Sequence, residues 1–298
     1  MYGGPGVEVA DERWTDARLA LRNAADRFSE LLSTVPDPQV LATKTWSVAQ
    51  TAAHMASLAW ACTTMAEPGS RTARDDVLGN QFAKTNVDNV RDFNDLLLRQ
   101  YVEERDLATL TGMLRRDVAA VLDAVDGREP TEGVDWLGGS RLPLAGLIAH
   151  LTNELHIHGW DIARATRAPW KIPPGDAALF FEMFLVGVVR YGYGGLLDST
   201  PRASRRRIAV QFRSRYTAPT TLVLDGARDA PGNRDRVTAE PPGRDDDVLL
   251  SFHPPSLNLM LFGRISRARV ALTGRVFVWG PRPWLLPVFL RTVHMPNN

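Results

Sequence analysis

The sequence has very little cysteine, almost no net charge and no long uninterrupted hydrophobic run. Its 298 residues include one cysteine, Cys62, and carry a formal net charge of +1. A single thiol excludes an intrachain disulfide and excludes zinc or iron–sulfur sites built from several cysteines. The near-neutral charge argues against a nucleic-acid-binding protein that works through bulk positive charge. We therefore expect a reducing, cytoplasmic location and no nucleic-acid partner.

The most apolar stretch is also a poor membrane span. Residues 177–197 read AALFFEMFLVGVVRYGYGGLL and are interrupted by Glu182 and Arg190. The first residues, MYGGPGVEVADERW, lack a basic segment followed by an apolar one, so no signal peptide is expected. We expect no membrane partner.

Charge is unevenly divided along the chain. Residues 1–172 hold 18 basic and 24 acidic residues, and residues 173–298 hold 17 and 10, which gives net charges of −6 and +7. Opposite signs, together with a length above that of one typical domain, predict two domains with these bounds. Residues 173–196 are expected to form a helical connector at the start of the second domain.

Helical periodicity dominates the first domain. Helices are predicted at 11–34, 46–66, 79–102, 106–126 and 143–167, with a break between the third and fourth near Glu104. Long helices with modest connections favour an antiparallel four-helix bundle.

The pattern changes after about residue 200. Short β-branched or alternating runs predict strands at 205–214, 220–226, 236–240, 247–252 and 269–280, the last with an internal glycine. Helices are predicted at 254–264 and 281–293. This mixture predicts a small α+β domain behind the helical bundle.

Four ionisable side chains share one face of the helix predicted at 143–167. At 100° per residue, His150, Glu154, His158 and Asp161 lie within a sector of about 80° beside the apolar stripe that should face the core. Ionisable groups in a core are costly unless they are paired, hydrogen-bonded or bound to metal.

Three of the candidate residues have the spacing and chemistry of metal ligands. Glu154 and His158 are four residues apart and can reach one ion, although the same spacing also fits a simple Glu–His hydrogen bond. His54 lies on the apolar face of the helix at 46–66, where a histidine is more often a core residue than a ligand. If the two helices face each other, the three side chains offer nitrogen and oxygen ligands and leave a position open, as in catalytic zinc sites. His156 falls on the opposite face and is expected to be exposed.

Two of these segments resemble a known family. WSVAQTAAHMA (46–56) and ELHIHGWDIARATRAPW (154–170) resemble the DinB-like metal-binding bundle, most of all the branch of mycothiol-dependent maleylpyruvate isomerase. Residues 249–293 resemble the sterol-carrier-protein-like domain that follows the bundle in that branch. The resemblance covers nearly the whole chain.

The resemblance implies roles for individual residues. It implies that His54, Glu154 and His158 bind a divalent metal, usually zinc, and that the Arg264 position acts on substrate. The residues themselves leave open whether His150 and Asp161 orient the ligands, shuttle protons or only make packing hydrogen bonds.

The expected function is a metal-dependent transferase or isomerase that uses mycothiol or a similar low-molecular-weight thiol. Because Cys62 lies in an alanine-rich helix, the thiol would come from that cofactor and attack a small electrophilic substrate. The alternatives are a non-catalytic lipid or small-ligand binding protein, favoured by the resemblance to a lipid carrier, and a degenerate regulatory or structural bundle. The second domain is expected to complete a cleft at the domain interface.

Overall fold

A helical bundle forms the first part of the molecule. The computed structural model describes residues 10–67, 79–101, 103–196, 206–225 and 236–293. The helices are α1 (Asp11–Ser33), α2 (Val48–Ala66), α3 (Gly79–Lys84), α4 (Val90–Tyr101), α5 (Leu107–Ala124) and α6 (Leu144–Thr166). Helices α1, α2, α5 and α6 pack together as a four-helix bundle, and α4 lies against α2.

A capping box formed by Ser47 and Gln50 fixes the start of α2. The backbone N–H of Gln50 donates to Ser47 Oγ, and the backbone N–H of Ser47 donates to Gln50 Oε1. The helix that follows is rich in alanine, which lets α5 and α6 pack closely against it. His54, in the middle of α2, is therefore buried.

Helix α6 is the central element of the bundle, and most of its residues are buried. It begins directly after a short antiparallel hairpin, β1 (Gly133–Asp135) and β2 (Arg141–Pro143). It ends at Arg167, whose φ of 59° is left-handed. The sequence analysis did not predict the hairpin, because three-residue strands are too short to show a period of two.

A continuous helical segment connects the bundle to the second part. It consists of α7 (Pro174–Leu179), a π-helical stretch (Phe180–Leu185) and α8 (Val186–Tyr191). Gly146 of α6 lies beneath it, and a Cβ at that glycine would come within 2.7 Å of the Met183 carbonyl oxygen. The side chain of Phe180 joins the hydrophobic core of the bundle, whereas that of Phe181 joins the core of the sheet.

The second part is a five-stranded mixed sheet with helices. Its strands are β3 (Ile208–Ser214), β4 (Thr217–Asp225), β5 (Arg236–Glu240), β6 (Val248–Phe252) and β7 (Val276–Trp279), in the order β5-β4-β3-β6-β7. Strands β3 and β6 are parallel, and the other pairs are antiparallel. Helices α9 (Pro254–Leu261), α10 (Arg267–Leu272) and α11 (Leu286–Thr292) complete it.

The predicted fold class, a helical bundle followed by an α+β part, is confirmed. The domain boundary at residue 172 stays a prediction, and the helical segment predicted there spans residues 174–191. Among the described residues, no helix is both long enough and apolar enough to span a bilayer.

Two of the predicted elements are wrong in detail. The helix predicted at 79–102 is interrupted at 85–89, where Asn86 Oδ1 accepts from the backbone N–H groups of Asp88 and Asn89 in place of helical hydrogen bonds. The strand predicted at 269–280 is a helix, a turn and a strand. Ser266 Oγ caps α10 by accepting from the Arg269 N–H, so only the end of that stretch is extended.

Two glycine-to-alanine substitutions should change stability in opposite directions. A Cβ at Gly159 in α6 would come within 2.1 Å of the Trp170 ring, so Gly159→Ala should destabilise the fold by about 1–3 kcal/mol through overpacking. Gly112 in α5 is exposed, and a Cβ added there would meet nothing within 4 Å, so Gly112→Ala should stabilise the fold by about 1 kcal/mol. Denaturant unfolding of both variants measures the difference, and equal effects would contradict this account of Gly159.

Candidate metal centre

Two imidazoles and one carboxylate converge in the core of the bundle. His54 on α2 and Glu154 and His158 on α6 each offer one ligand atom, and these atoms lie within 4.8 Å of one another. Glu154 Oε2 is 3.5 Å from His158 Nε2 and 4.0 Å from His54 Nε2. All three side chains are less than a tenth exposed.

A third imidazole approaches the same carboxylate from the other side. His150 Nε2 lies 3.7 Å from Glu154 Oε1. The His150 ring is held between two aromatic rings, with centroid distances of 4.8 Å to Trp136 and 4.7 Å to Phe184. Glu154 thus has imidazoles beside both of its oxygens.

Asp161 and Arg264 extend the cluster toward the second part of the chain. Asp161 Oδ2 lies 3.2 Å from His158 Nδ1. The Arg264 guanidinium donates from Nη2 to Asp161 Oδ2 at 2.7 Å and from Nε to Asp161 Oδ1 at 3.1 Å. Arg264 also donates to the Phe262 carbonyl oxygen at 2.7 Å. Arg264 therefore faces Asp161, and through it His158.

The surrounding imidazoles favour the ionised form of Glu154. Burial alone would raise the pKa of Glu154, but hydrogen bonding with His158 and His54 outweighs it and keeps the pKa well below its usual range. For His158, burial lowers the pKa, while Asp161 and Glu154 raise it, and the net shift is upward. For Asp161, burial is outweighed by His158 and Arg264, so its pKa is lowered.

For the other two histidines of the cluster, His54 and His150, the net pKa shift is downward, because burial outweighs the effect of their charged neighbours. Both pKa values lie below the ordinary histidine value, so both side chains favour the neutral imidazole that binds metal or accepts a proton. Within the described part of the chain, the Nδ1 atoms of His54 and His150 are buried and have no hydrogen-bond partner.

The donor set suits a divalent metal ion. Zinc is bound in catalytic sites by three imidazole or carboxylate ligands with one position left open. Within the part of the chain that the structure describes, no lysine or arginine forms an ion pair with Glu154, whose charge partners are the imidazoles. Burial favours the neutral imidazole at His54 and His150, and a buried carboxylate beside neutral imidazoles is costly unless a bound cation stabilises it.

A cavity of about 370 Å³ begins at this cluster. His54, His150 and Glu154 line one end of it, and its walls continue past the π-helical stretch into the core of the sheet. Both parts of the chain therefore line it, in agreement with the expected cleft between the two halves.

The structure brings together all the candidate site residues of the sequence analysis. His54, Glu154 and His158 converge, His150 and Asp161 flank them, and Arg264 reaches Asp161 from the second part of the chain. Whether these residues bind metal or catalyse a reaction stays a prediction.

One expectation near the site is wrong, and another agrees with the structure. His156 is buried rather than exposed, because Asp176 and Trp170 cover that face of α6: His156 Nε2 lies 3.1 Å from Asp176 Oδ2, and Trp170 Nε1 donates to the His156 carbonyl oxygen. Cys62 is a buried free thiol, and burial raises its pKa, so it is not a candidate nucleophile.

The sequence analysis missed the aromatic rings around the site. The Trp46 ring lies tilted against His54 with a centroid distance of 4.8 Å, and Trp136 and Phe184 contact His150 from two sides. Trp46 directly precedes Ser47, the N-cap of α2, so its place near the helix that carries His54 could have been predicted from the sequence. Trp136 lies beyond β1 and Phe184 in the π-helical stretch, and neither position carries a local pattern that points to the site.

Comparisons with known proteins identify a family for the bundle. Residues 17–163 match the family model described as the mycothiol maleylpyruvate isomerase N-terminal domain. No curated protein matches the chain.

Two solved structures are similar over most of the chain. The crystal structure of the mycothiol-dependent maleylpyruvate isomerase is 14% identical, with 85% of this chain and 90% of that chain covered and a TM-score of 0.46. A histidine-to-alanine mutant of the mycothiol-dependent maleylpyruvate isomerase is 13% identical, with 89% and 92% covered and the same TM-score. These values are too low to carry functional information, so the assignment rests on the family model. The helical part of the chain, residues 17–163, belongs to the family of mycothiol maleylpyruvate isomerase N-terminal domains.

Proposed function

We propose that the protein is a metal-dependent enzyme, a transferase or isomerase that uses mycothiol or a similar low-molecular-weight thiol against a small electrophile. The observation that carries the proposal is the convergence of His54, Glu154 and His158 at the end of a cavity. The family of the bundle supports the thiol, since mycothiol is part of the family's name. We also propose a cytoplasmic location, where a thiol cofactor stays reduced.

His54, Glu154 and His158 would hold the metal, most simply zinc. A divalent metal held by two imidazoles and one carboxylate remains Lewis acidic and favours the thiolate form of a bound thiol at neutral pH. Glu154 would supply the negative charge, and its low pKa keeps it ionised at neutral pH. Addition of the thiol to an activated double bond joins the two molecules, and addition followed by bond rotation and elimination isomerises the double bond.

His150 is the best placed group to move a proton. It lines the cavity beside the ligand cluster, and its buried Nδ1 has no hydrogen-bond partner among the described residues. Because burial lowers its pKa, His150 is neutral at pH 7 and can accept the proton of an incoming thiol. Trp136 and Phe184 fix the plane of its ring.

Asp161 and Arg264 would act through His158. Asp161 adjoins the Nδ1 side of that ring, the position from which a carboxylate orients a metal-binding imidazole. Arg264 donates hydrogen bonds to both carboxylate oxygens of Asp161 and so fixes the orientation of that side chain. We therefore propose Arg264 as a positioning residue rather than as a group that contacts substrate.

A non-catalytic lipid or small-ligand binding protein is the alternative. The cavity favours it, because most of the wall is apolar and extends into the sheet core. Mass spectrometry of ligands that co-purify with the full chain separates the two functions. A thiol adduct supports catalysis, and an acyl or sterol species without thiol chemistry supports carriage.

Removing a ligand should remove the metal. The purified protein should contain about one divalent ion per chain, and His54→Ala and Glu154→Gln should each abolish stoichiometric binding. His253→Ala is the matched control, since His253 lies outside the cluster and contacts Ser256. Elemental analysis after dialysis measures the number of metal ions per chain in each variant. A wild-type protein that neither contains nor takes up a divalent ion would refute the proposal.

Asp161→Asn should weaken metal binding by about 10- to 100-fold, because His158 loses its charged orienting partner. Asp176→Asn is the control: Asp176 on α7 makes a comparable contact with His156, which lies on α6 like His158 but away from the cluster. Competition with a chelator measures both affinities. Equal affinities in the two variants would show that Asp161 does not act through His158.

His150→Gln should separate metal binding from catalysis. The variant should keep its metal but lose about 10²- to 10⁴-fold in kcat/KM for thiol conjugation, the usual contribution of a general acid–base. His253→Gln should match the wild type. Loss of metal in His150→Gln would instead make His150 a fourth ligand, and unchanged kcat/KM would remove it from the mechanism.

A further inference from the structure

The cavity has two chemically different ends. At one end His54, His150 and Glu154 present nitrogen and oxygen atoms. At the other end the wall is formed by side chains such as Phe212, Leu222 and Leu250, which belong to the hydrophobic core of the sheet. The walls of this cavity of about 370 Å³ are therefore drawn from two separate cores, so the cavity extends from the bundle into the sheet.

Aromatic contacts trace the path between the two ends. The Phe184 ring lies 4.7 Å from His150 and 5.0 Å from Phe180. On the sheet side, the Phe181 ring lies 5.1 Å from Phe212. Phe181 and Phe184 both line the cavity, so the π-helical stretch forms a continuous apolar wall from the ligand cluster to the sheet.

The apolar end reaches the surface at α10 and β7. Val276 and Val278 line the cavity, while Phe277 between them points to the other face of β7 and is 62% exposed. Arg267 and Ala271 of α10 line the cavity and are themselves exposed. A chain that entered from the cluster could therefore run to this opening, because none of the described residues that line the sheet end is both polar and buried.

We infer that the electrophile bears a linear apolar chain, whose reactive end lies at the His54–Glu154–His158 cluster and whose tail lies in the sheet. This rests on the proposed function. The thiol is polar and belongs at the cluster, so the apolar extension must hold part of the other substrate. An alkyl chain placed there would bury its apolar surface against the apolar walls.

The reaction expected for such a substrate is thiol addition to an alkene conjugated with a carbonyl group. A sulfur–carbon bond forms at the β-carbon as the carbon–carbon π bond breaks, and the thiol proton ends on the α-carbon. No group leaves, and no oxidant or reductant is consumed.

The test uses the metal-loaded full chain, mycothiol and trans-2-alkenals of four to ten carbons. Each added CH₂ that becomes buried should raise kcat/KM about fourfold, from about 0.8 kcal/mol per buried CH₂, until the cavity is full. The fluorescent linear fatty acid cis-parinaric acid should bind in competition with the longest alkenal.

Two tryptophan substitutions on α10 locate the chain. Ala271→Trp narrows the cavity and should lower kcat/KM for the ten-carbon alkenal at least tenfold, with the four-carbon alkenal unchanged. Ala268→Trp is the matched control, because Ala268 is exposed on the same helix and does not line the cavity.

The outcomes distinguish the two proposals. If the four-carbon alkenal is conjugated but chain length has no effect and cis-parinaric acid does not bind, the chain-bearing substrate is refuted and the proposed function stands. If cis-parinaric acid binds to wild type and Ala268→Trp but not to Ala271→Trp, and no alkenal is conjugated, the cavity holds a chain without thiol chemistry. That result overturns the proposed function, and with it the inferred electrophile.

Discussion

The buried charge of Glu154 is the constraint on which the rest of the site depends. A carboxylate in a bundle core needs compensation, and here it comes from imidazoles on both sides of the group. Two of those imidazoles are on α6 itself, one turn before and one turn after Glu154, and the third comes from α2. The close packing of an alanine-rich α2 against α6 brings His54 within reach.

The second part of the chain is tied to this centre by polar contacts as well as by packing. Arg264 donates to both oxygens of Asp161. Asn258 Nδ2 donates to Asn153 Oδ1 at 2.8 Å and to the Ala177 carbonyl oxygen at 3.0 Å. Both partners from the second part lie on or just after α9. The same connection that orients Asp161 therefore also sets the sheet against the bundle and shapes the cavity between them.

The sequence alone predicts the site residues that lie on a single helix. The 100° advance per residue placed His150, Glu154, His158 and Asp161 on one face, and the structure has all four at the cluster. The prediction of His54 as a third ligand required the further assumption that its helix faces the first one in the bundle. The exposure of His156 could not be judged in this way, because the helical angle says which face a residue occupies and not what covers that face.

The remaining features depend on long-range packing. The Asp161–Arg264 contact joins residues 103 positions apart, and resemblance alone had suggested only a substrate role for Arg264. Trp136 reaches His150 from the connection between β1 and β2, two strands that are too short for periodicity to reveal. The cavity spans the two cores at the helical segment 174–191, which presents successive phenylalanines to each of them.

X-ray absorption at the zinc edge tests the central claim most directly. In the zinc-loaded full chain, the account predicts a shell of about three nitrogen or oxygen ligands at about 2.0–2.2 Å with imidazole scattering. Addition of mycothiol should introduce one sulfur neighbour at about 2.3 Å. A zinc ion that lacks imidazole ligands, or one whose environment does not change when the thiol is added, would contradict the account.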